Sequence, residues 1–278
     1  MVNVWLRRIT ILYGIWFVCG LVLVTRNMVP SWLVWTYSFY LILGGITAFM
    51  WYVDRYGLRQ GLILIAVCGS LPYAARWMGT YIEPWFGGYD YSEYHPIVLN
   101  VPLTLPFAWC MLLVLSRAFA PIRNQDNPWR GLRLSEKLSP ELERLKRERR
   151  RSKLQSFWVP TVWAASMVAG IHVLLDPLSA QKQAWNPAGF HFAIGSSVYW
   201  WIIALFIVNI INYLHDEYFQ KYTVARSRGN GLSIMLLLTL ELLLLTFALK
   251  NGLWLAVSSN IAVIAVLLLW KRKIESGS

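Results

Sequence analysis

The sequence predicts an all-α fold, a polytopic membrane helical bundle of about eight transmembrane helices built as a single integral membrane domain over residues 1–278. Three observations carry that expectation. Hydrophobic residues make up 57 % of the chain and charged residues only 14 %, which is more apolar surface than a soluble domain can cover. The charges fall between long apolar runs, and eight of these runs approach the roughly 20 residues a helix needs to cross the hydrocarbon core. They lie near 9–25, 31–53, 60–80, 98–116, 157–175, 192–214, 232–249 and 252–270. The cations then sort to alternate connections. With the N-terminus inside, the inner segments hold Arg7 and Arg8, Arg55 and Arg59, twelve cations from Arg117 to Lys153, Lys221, Arg226, Arg228 and Lys271 to Lys273. Only Arg26, Arg76, Lys182 and Lys250 remain outside. That positive-inside bias predicts that both termini are cytoplasmic, and the expected location is a bacterial-type cell membrane that the chain crosses several times.

The first span follows Arg7-Arg8 as a signal peptide would, but no small-residue cleavage site follows Thr25, so it reads as a retained helix. Of Trp5, Trp16, Trp32, Trp35 and Trp51 of the first two spans, most sit near predicted membrane edges, where an indole anchors between headgroups and tails. The third span ends in Arg76-Trp77-Met78-Gly79. Arg76, about one turn from the outer edge, is placed either to snorkel or to pair with Glu83 or Asp90. The loop that follows holds no Lys or Arg, in a chain of net charge +12, and carries Glu83, Asp90, Glu93 and His95. Around those acids stand Tyr81, Trp85, Phe86, Tyr89, Tyr91 and Tyr94. An aromatic, acid-bearing loop between two spans suits an apolar substrate with one reactive end.

After the fourth span, residues 117–156 form a basic cytoplasmic loop, twelve cations against Asp126, Glu136, Glu141, Glu143 and Glu148. Ser139-Pro140-Glu141 starts a helix within it, with a capping Ser, Pro at the first position and an acid in the first turn. The helix is either amphipathic and drawn to anionic headgroups, at about 1 kcal/mol per cation, or simply solvated and topology-setting. One basic helix without a binding fold gives no case for nucleic acid. The fifth span leads through His172 to Asp176-Pro177 and a loop containing Trp185, so both outer loops follow an acid-Pro step with aromatics. Glu241 stands alone in the seventh span, where a central charge costs about 2.5–3.5 kcal/mol on insertion scales. The turn at Lys250-Asn251-Gly252 makes the last two spans a hairpin and sets Asn260 at the depth of Glu241, as a polar clamp or a proton-handling pair. Cys19, Cys68 and Cys110 lie within spans without CxxC spacing, so neither disulfides nor a metal site is expected.

The run Gly79…Pro84-Trp85-Phe86-Gly87-Gly88-Tyr89-Asp90-Tyr91, then Val101-Pro102-Leu103…Pro106…Trp109, resembles the membrane carotenoid-biosynthesis protein family. A second block, Leu175-Asp176-Pro177…Trp185 and Tyr199-Trp200-Trp201, extends the resemblance to about Arg76–Trp201. That family includes carotenoid 1,2-hydratases of the bisanhydrobacterioruberin hydratase type. Three polar positions depart from the pattern the resemblance leads one to expect. Arg76 stands for a Glu, His172 for an Asp, and Phe192–Ser197 lacks the Pro and Asn of a Gly-x-Pro-x-x-Asn-type segment.

The resemblance implies cofactor-independent hydration of the terminal C=C of an acyclic carotenoid. Such chemistry needs an acid that stays protonated beside apolar groups, aromatic faces to steady a tertiary cation and a base for the attacking water. Asp176 and Asp90 are the candidate acids and His172 the candidate base, sharing a helix face with Asp176 at a spacing of four. Trp85, Phe86, Tyr89, Tyr91, Trp109, Trp185 and Trp201 are the candidate lining, and Arg76, Glu241 and Asn260 the intramembrane polar groups. Each ring taken alone is as well explained by interfacial anchoring, and His172 by packing. The competing reading is a non-catalytic protein that binds a carotenoid or other polyisoprenoid, or scaffolds other carotenoid-pathway enzymes. Asp-rich diphosphate motifs, HxxxH clusters and a hydrolase nucleophile motif are absent, and a small-solute transporter would need more polar residues in its spans.

Overall fold

The computed structural model describes residues 2–30, 33, 35–81, 97–99, 101–120, 158–175, 190–219 and 231–276. Eight helices appear among them: α1 (Val2–Thr25), α2 (Thr36–Tyr56), α3 (Leu58–Tyr81), α4 (Leu105–Phe119), α5 (Trp158–Leu175), α6 (Phe190–Phe219), α7 (Gly231–Lys250) and α8 (Trp254–Ser276). Seven are long and apolar enough to cross a membrane, and α4 is shorter. The expected fourth span at 98–116 is therefore divided: a small antiparallel ladder of β1 (Ile97–Val98) and β2 (Val101–Pro102) precedes α4. The basic loop lies outside the described residues except for its first four positions, 117–120, of which 117–119 finish α4.

Two helices form the centre. Seven consecutive residues of α4, Trp109 to Leu115, are no more than 3 % exposed, which is possible only where helices surround α4 on every side. Enclosure also explains its length, because a helix that faces protein rather than lipid need not match the hydrocarbon thickness. On α5, Trp163, Ala164, Ala165, Met167, Val168, Ile171 and Leu174 are buried.

Glycine permits the closest approaches, as expected where van der Waals packing rather than a hydrophobic drive joins helices. A Cβ on Gly45 of α2 would lie 2.5 Å from the Phe107 carbonyl oxygen of α4, and one on Gly44 would lie 2.6 Å from the Met111 sulfur. Gly57, at φ +90°, turns the chain between α2 and α3. Polar bonds then fix the register. Trp163 Nε1 donates to the Leu267 carbonyl at 3.0 Å and Asn260 Nδ2 to the Gly170 carbonyl at 2.9 Å. Those pairs run in opposite directions two turns apart, so α5 and α8 are antiparallel. Asn212 Nδ2 donates to Thr161 Oγ1 at 2.8 Å and Trp201 Nε1 to Ser166 Oγ at 3.1 Å, which lays α6 antiparallel along α5.

α1 is held by a buried hydroxyl network and by a cation. The Tyr13 hydroxyl lies 2.6 Å from that of Tyr40 on α2 and 2.7 Å from Thr239 Oγ1 on α7. At the other end, Lys250 Nζ donates to the Val24 carbonyl, to the Thr25 carbonyl at 2.8 Å and to Asn27 Oδ1 at 2.6 Å. These carbonyls end α1, where unpaired acceptors and the helix dipole favour a cation. Lys250, one of the four cations on the side predicted as outer, thus serves a helix terminus.

Candidate functional site

The residues that sequence alone singles out on α3, α4 and α5 meet at one end of the bundle. Arg76 lies near the end of α3, one turn after Pro72; Trp109 lies in the first turns of α4, and His172 near the end of α5. Because α4 runs opposite to both, all three reach the same level. Between them stands Trp200 of α6, 1 % exposed. Its ring stacks on His172 with centroids 4.9 Å apart and an interplanar angle of 13°. Trp109 lies 5.4 Å from Trp200 and 5.7 Å from His172. The Arg76 guanidinium sits over the Trp200 ring, 4.3 Å from its centroid. Tyr199 meets the same indole edge-on at 5.1 Å.

This is a desolvated cation–aromatic stack, since Arg76 is 9 % and His172 5 % exposed. A guanidinium over an indole is attracted by the ring quadrupole, by about 2 kcal/mol or more once water is excluded. Arg76 therefore turns into the bundle instead of snorkelling past it. The two basic side chains that depart from the resemblance share one aromatic partner.

Trp201, the expected lining residue, is not in the stack; its indole N–H is spent on Ser166. Trp200 is the residue that sequence reasoning missed. A signal existed: Trp200 shares its helix face with Ala204, Ile207, Val208 and Ile211, all buried, and a small residue on a membrane helix marks the protein-facing side. Asp90 and Asp176, and the lining residues Trp85, Phe86, Tyr89, Tyr91 and Trp185, lie outside the described residues.

The remaining polar candidates form a second locus. Glu241 belongs to the buried stripe of α7 with Ser233, Leu237, Leu240, Leu244 and Ala248. Asn260 of α8 is beside its carboxyl, and the Gly170 carbonyl that Asn260 bonds is two residues from His172. A separate groove between α1, α2 and α7, lined by Trp16, Phe17, Gly20, Tyr37, Tyr40 and Leu243, shares no residue with the Trp200 stack.

No curated protein and no solved structure matches the chain. The model of one family does match, described as carotenoid biosynthesis protein, over residues 36–270, from the start of α2 to near the end of α8. The chain, a multi-pass integral membrane protein of eight helices among its described residues, thus belongs to the carotenoid biosynthesis protein family.

Proposed function

We propose that this member of the family adds water across the terminal double bond of an acyclic carotenoid, without a cofactor, at the end of the bundle where Arg76, Trp109, His172 and Trp200 meet. The observation that carries the reading is the environment of His172. Its imidazole is held 5 % exposed between two indoles, with Asp176 four residues further along the chain. In the proposed reaction the Asp176 carboxylic acid gives its proton to the less substituted alkene carbon. The tertiary cation left behind is captured by water, and His172 takes the proton that the attacking water loses. Return of that proton to Asp176 through solvent closes the cycle, and one water has been added. Asp90 is the alternative acid. Trp85, Phe86, Tyr89, Tyr91, Trp109 and Trp185 belong to the proposed substrate-binding wall, with Trp200 in the place expected of Trp201.

A second reading has its own support. The face of Trp200 that would steady a substrate cation already carries Arg76, 4.3 Å from the ring centroid, which favours a protein that binds a polyisoprenoid without transforming it. Pigment analysis separates the two. Membranes containing the protein are supplied with linear carotenoids, beside an Asp176→Asn control, and extracts are read by chromatography and mass spectrometry. Hydration gives a product heavier by one water that the control lacks. Unchanged pigment that co-purifies with the protein would overturn hydration of those substrates in favour of binding.

A further inference from the structure

We infer that Glu241 and Asn260 form an intramembrane site for one proton, held by the Glu241 carboxyl and shared with the Asn260 carbonyl oxygen. The inference does not depend on the proposed hydratase activity. Glu241 is 8 % exposed and Asn260 fully buried. Asn260 donates Nδ2 to the Gly170 carbonyl at 2.9 Å, which fixes the amide and leaves Oδ1 as an acceptor. Among the described residues, Asn260 Oδ1 and both Glu241 carboxyl oxygens have no hydrogen-bond partner, although the two side chains are neighbours.

Three buried acceptor oxygens at one place, none with a hydrogen-bond partner among the described residues and the nearby Asn260 Nδ2 directed to the Gly170 carbonyl, are the complement of a missing hydrogen. Leaving such atoms unmatched in an apolar interior is costly, and an uncompensated carboxylate in a span is costlier still. One proton on Glu241 answers both problems. It removes the charge and supplies an O–H that the Asn260 oxygen can accept.

Among the described residues, the groups on the neighbouring helices are otherwise engaged or apart. Of the helices packed on α7, α1 and α2 bring Tyr13 and Tyr40, whose hydroxyls join Thr239, and Tyr37, which packs on Phe247. Cys19 of α1 is exposed, and Cys110 of α4 is buried as a free thiol. His172 of α5 is stacked on Trp200. α8 has no titratable side chain from Trp254 to Trp270. No cation from these helices is therefore bonded to Glu241 among the described residues.

The test is infrared difference spectroscopy on the full chain in lipid membranes, wild type against Glu241→Gln, an isosteric neutral change. A carboxylic acid C=O band present in wild type, lost in Glu241→Gln and shifted down in heavy water, is the expected result. Asn260→Ala, which removes the acceptor, shifts that band and provides a check should Glu241→Gln fail to fold. Absence of any such band across the pH range in which the protein stays folded would overturn the proposal. Loss of the band on adding sodium at constant pH would also overturn it, because a metal ion would then be the occupant.

Discussion

Replacing Trp200 and Trp201 separately by leucine asks which of two adjacent indoles organises the site. In a bilayer the unfolded reference is also apolar, so transfer from water drops out and only packing and polar terms remain. Trp200 makes aromatic contacts with Trp109 at 5.4 Å and with His172 at 4.9 Å, each of a kind that contributes about 0.5–1.5 kcal/mol. It also carries the Arg76 guanidinium at 4.3 Å, about 2 kcal/mol more for a desolvated pair. The expected loss for Trp200→Leu is therefore about 3–5 kcal/mol. Trp201→Leu breaks one interhelical bond, to Ser166 at 3.1 Å, for which about 0.6 kcal/mol is typical and about 1.7 the upper end. Equilibrium unfolding in mixed detergent micelles, titrated with a denaturing detergent, reads both losses on one scale. Equal losses, or a larger loss for Trp201→Leu, would refute the reasoning and the assignment of Trp200 as the centre of the stack.

Other perturbations test the scaffold. Gly45→Leu drives a side chain into the Phe107 backbone, where even a Cβ would lie 2.5 Å from the carbonyl oxygen, and is expected to cost at least about 1–3 kcal/mol in the same unfolding assay. Gly14→Ala, with nothing within 4 Å of the added carbon, is expected to be neutral or to stabilise by about 0.4–1 kcal/mol. Lys250→Met strips the α1 carbonyls of their cation and should cost about 1–2 kcal/mol, seen as faster protease cleavage after Thr25 in detergent. Tyr13→Phe removes hydroxyl contacts at 2.6 and 2.7 Å and should lower stability by about 0.6 kcal/mol for each bond lost. A topology reporter at the N-terminus is expected on the cytoplasmic side; a signal from the opposite side would reverse the inside-outside assignment.

Hydropathy and charge made the architecture legible. The apolar runs locate the helices, because each span must satisfy its backbone internally and fill the hydrocarbon thickness. Glu241 and Asn260 were legible as well, since a polar group in such a run stands out and the hairpin turn sets their depth. The helix starts were less clear: α4 begins at Leu105 rather than near residue 98, because Ile97–Pro102 finds ladder partners instead of a helical turn.

What the sequence could not decide is which face of each helix looks inward. On α6, Trp200, Ala204, Ile207, Val208 and Ile211 are buried while Val198, Ile202, Phe206 and Ile210 are exposed, and both stripes are apolar. In water those faces would differ in polarity and the pattern would betray the core; in a bilayer lipid and protein are equally apolar, so hydropathy is silent and only a small residue such as Ala204 hints at the inward stripe. The contact of Trp200 with His172, the inward turn of Arg76 and the service of Lys250 to the end of α1 are therefore decided by tertiary structure. The sequence by itself determined the membrane class, the eight helices seen among the described residues, the intramembrane polar residues and the family resemblance. Packing decided which of those residues meet, since close approach at Gly44 and Gly45 and the antiparallel bonds along α5 set the rotation of each helix, which hydropathy leaves free.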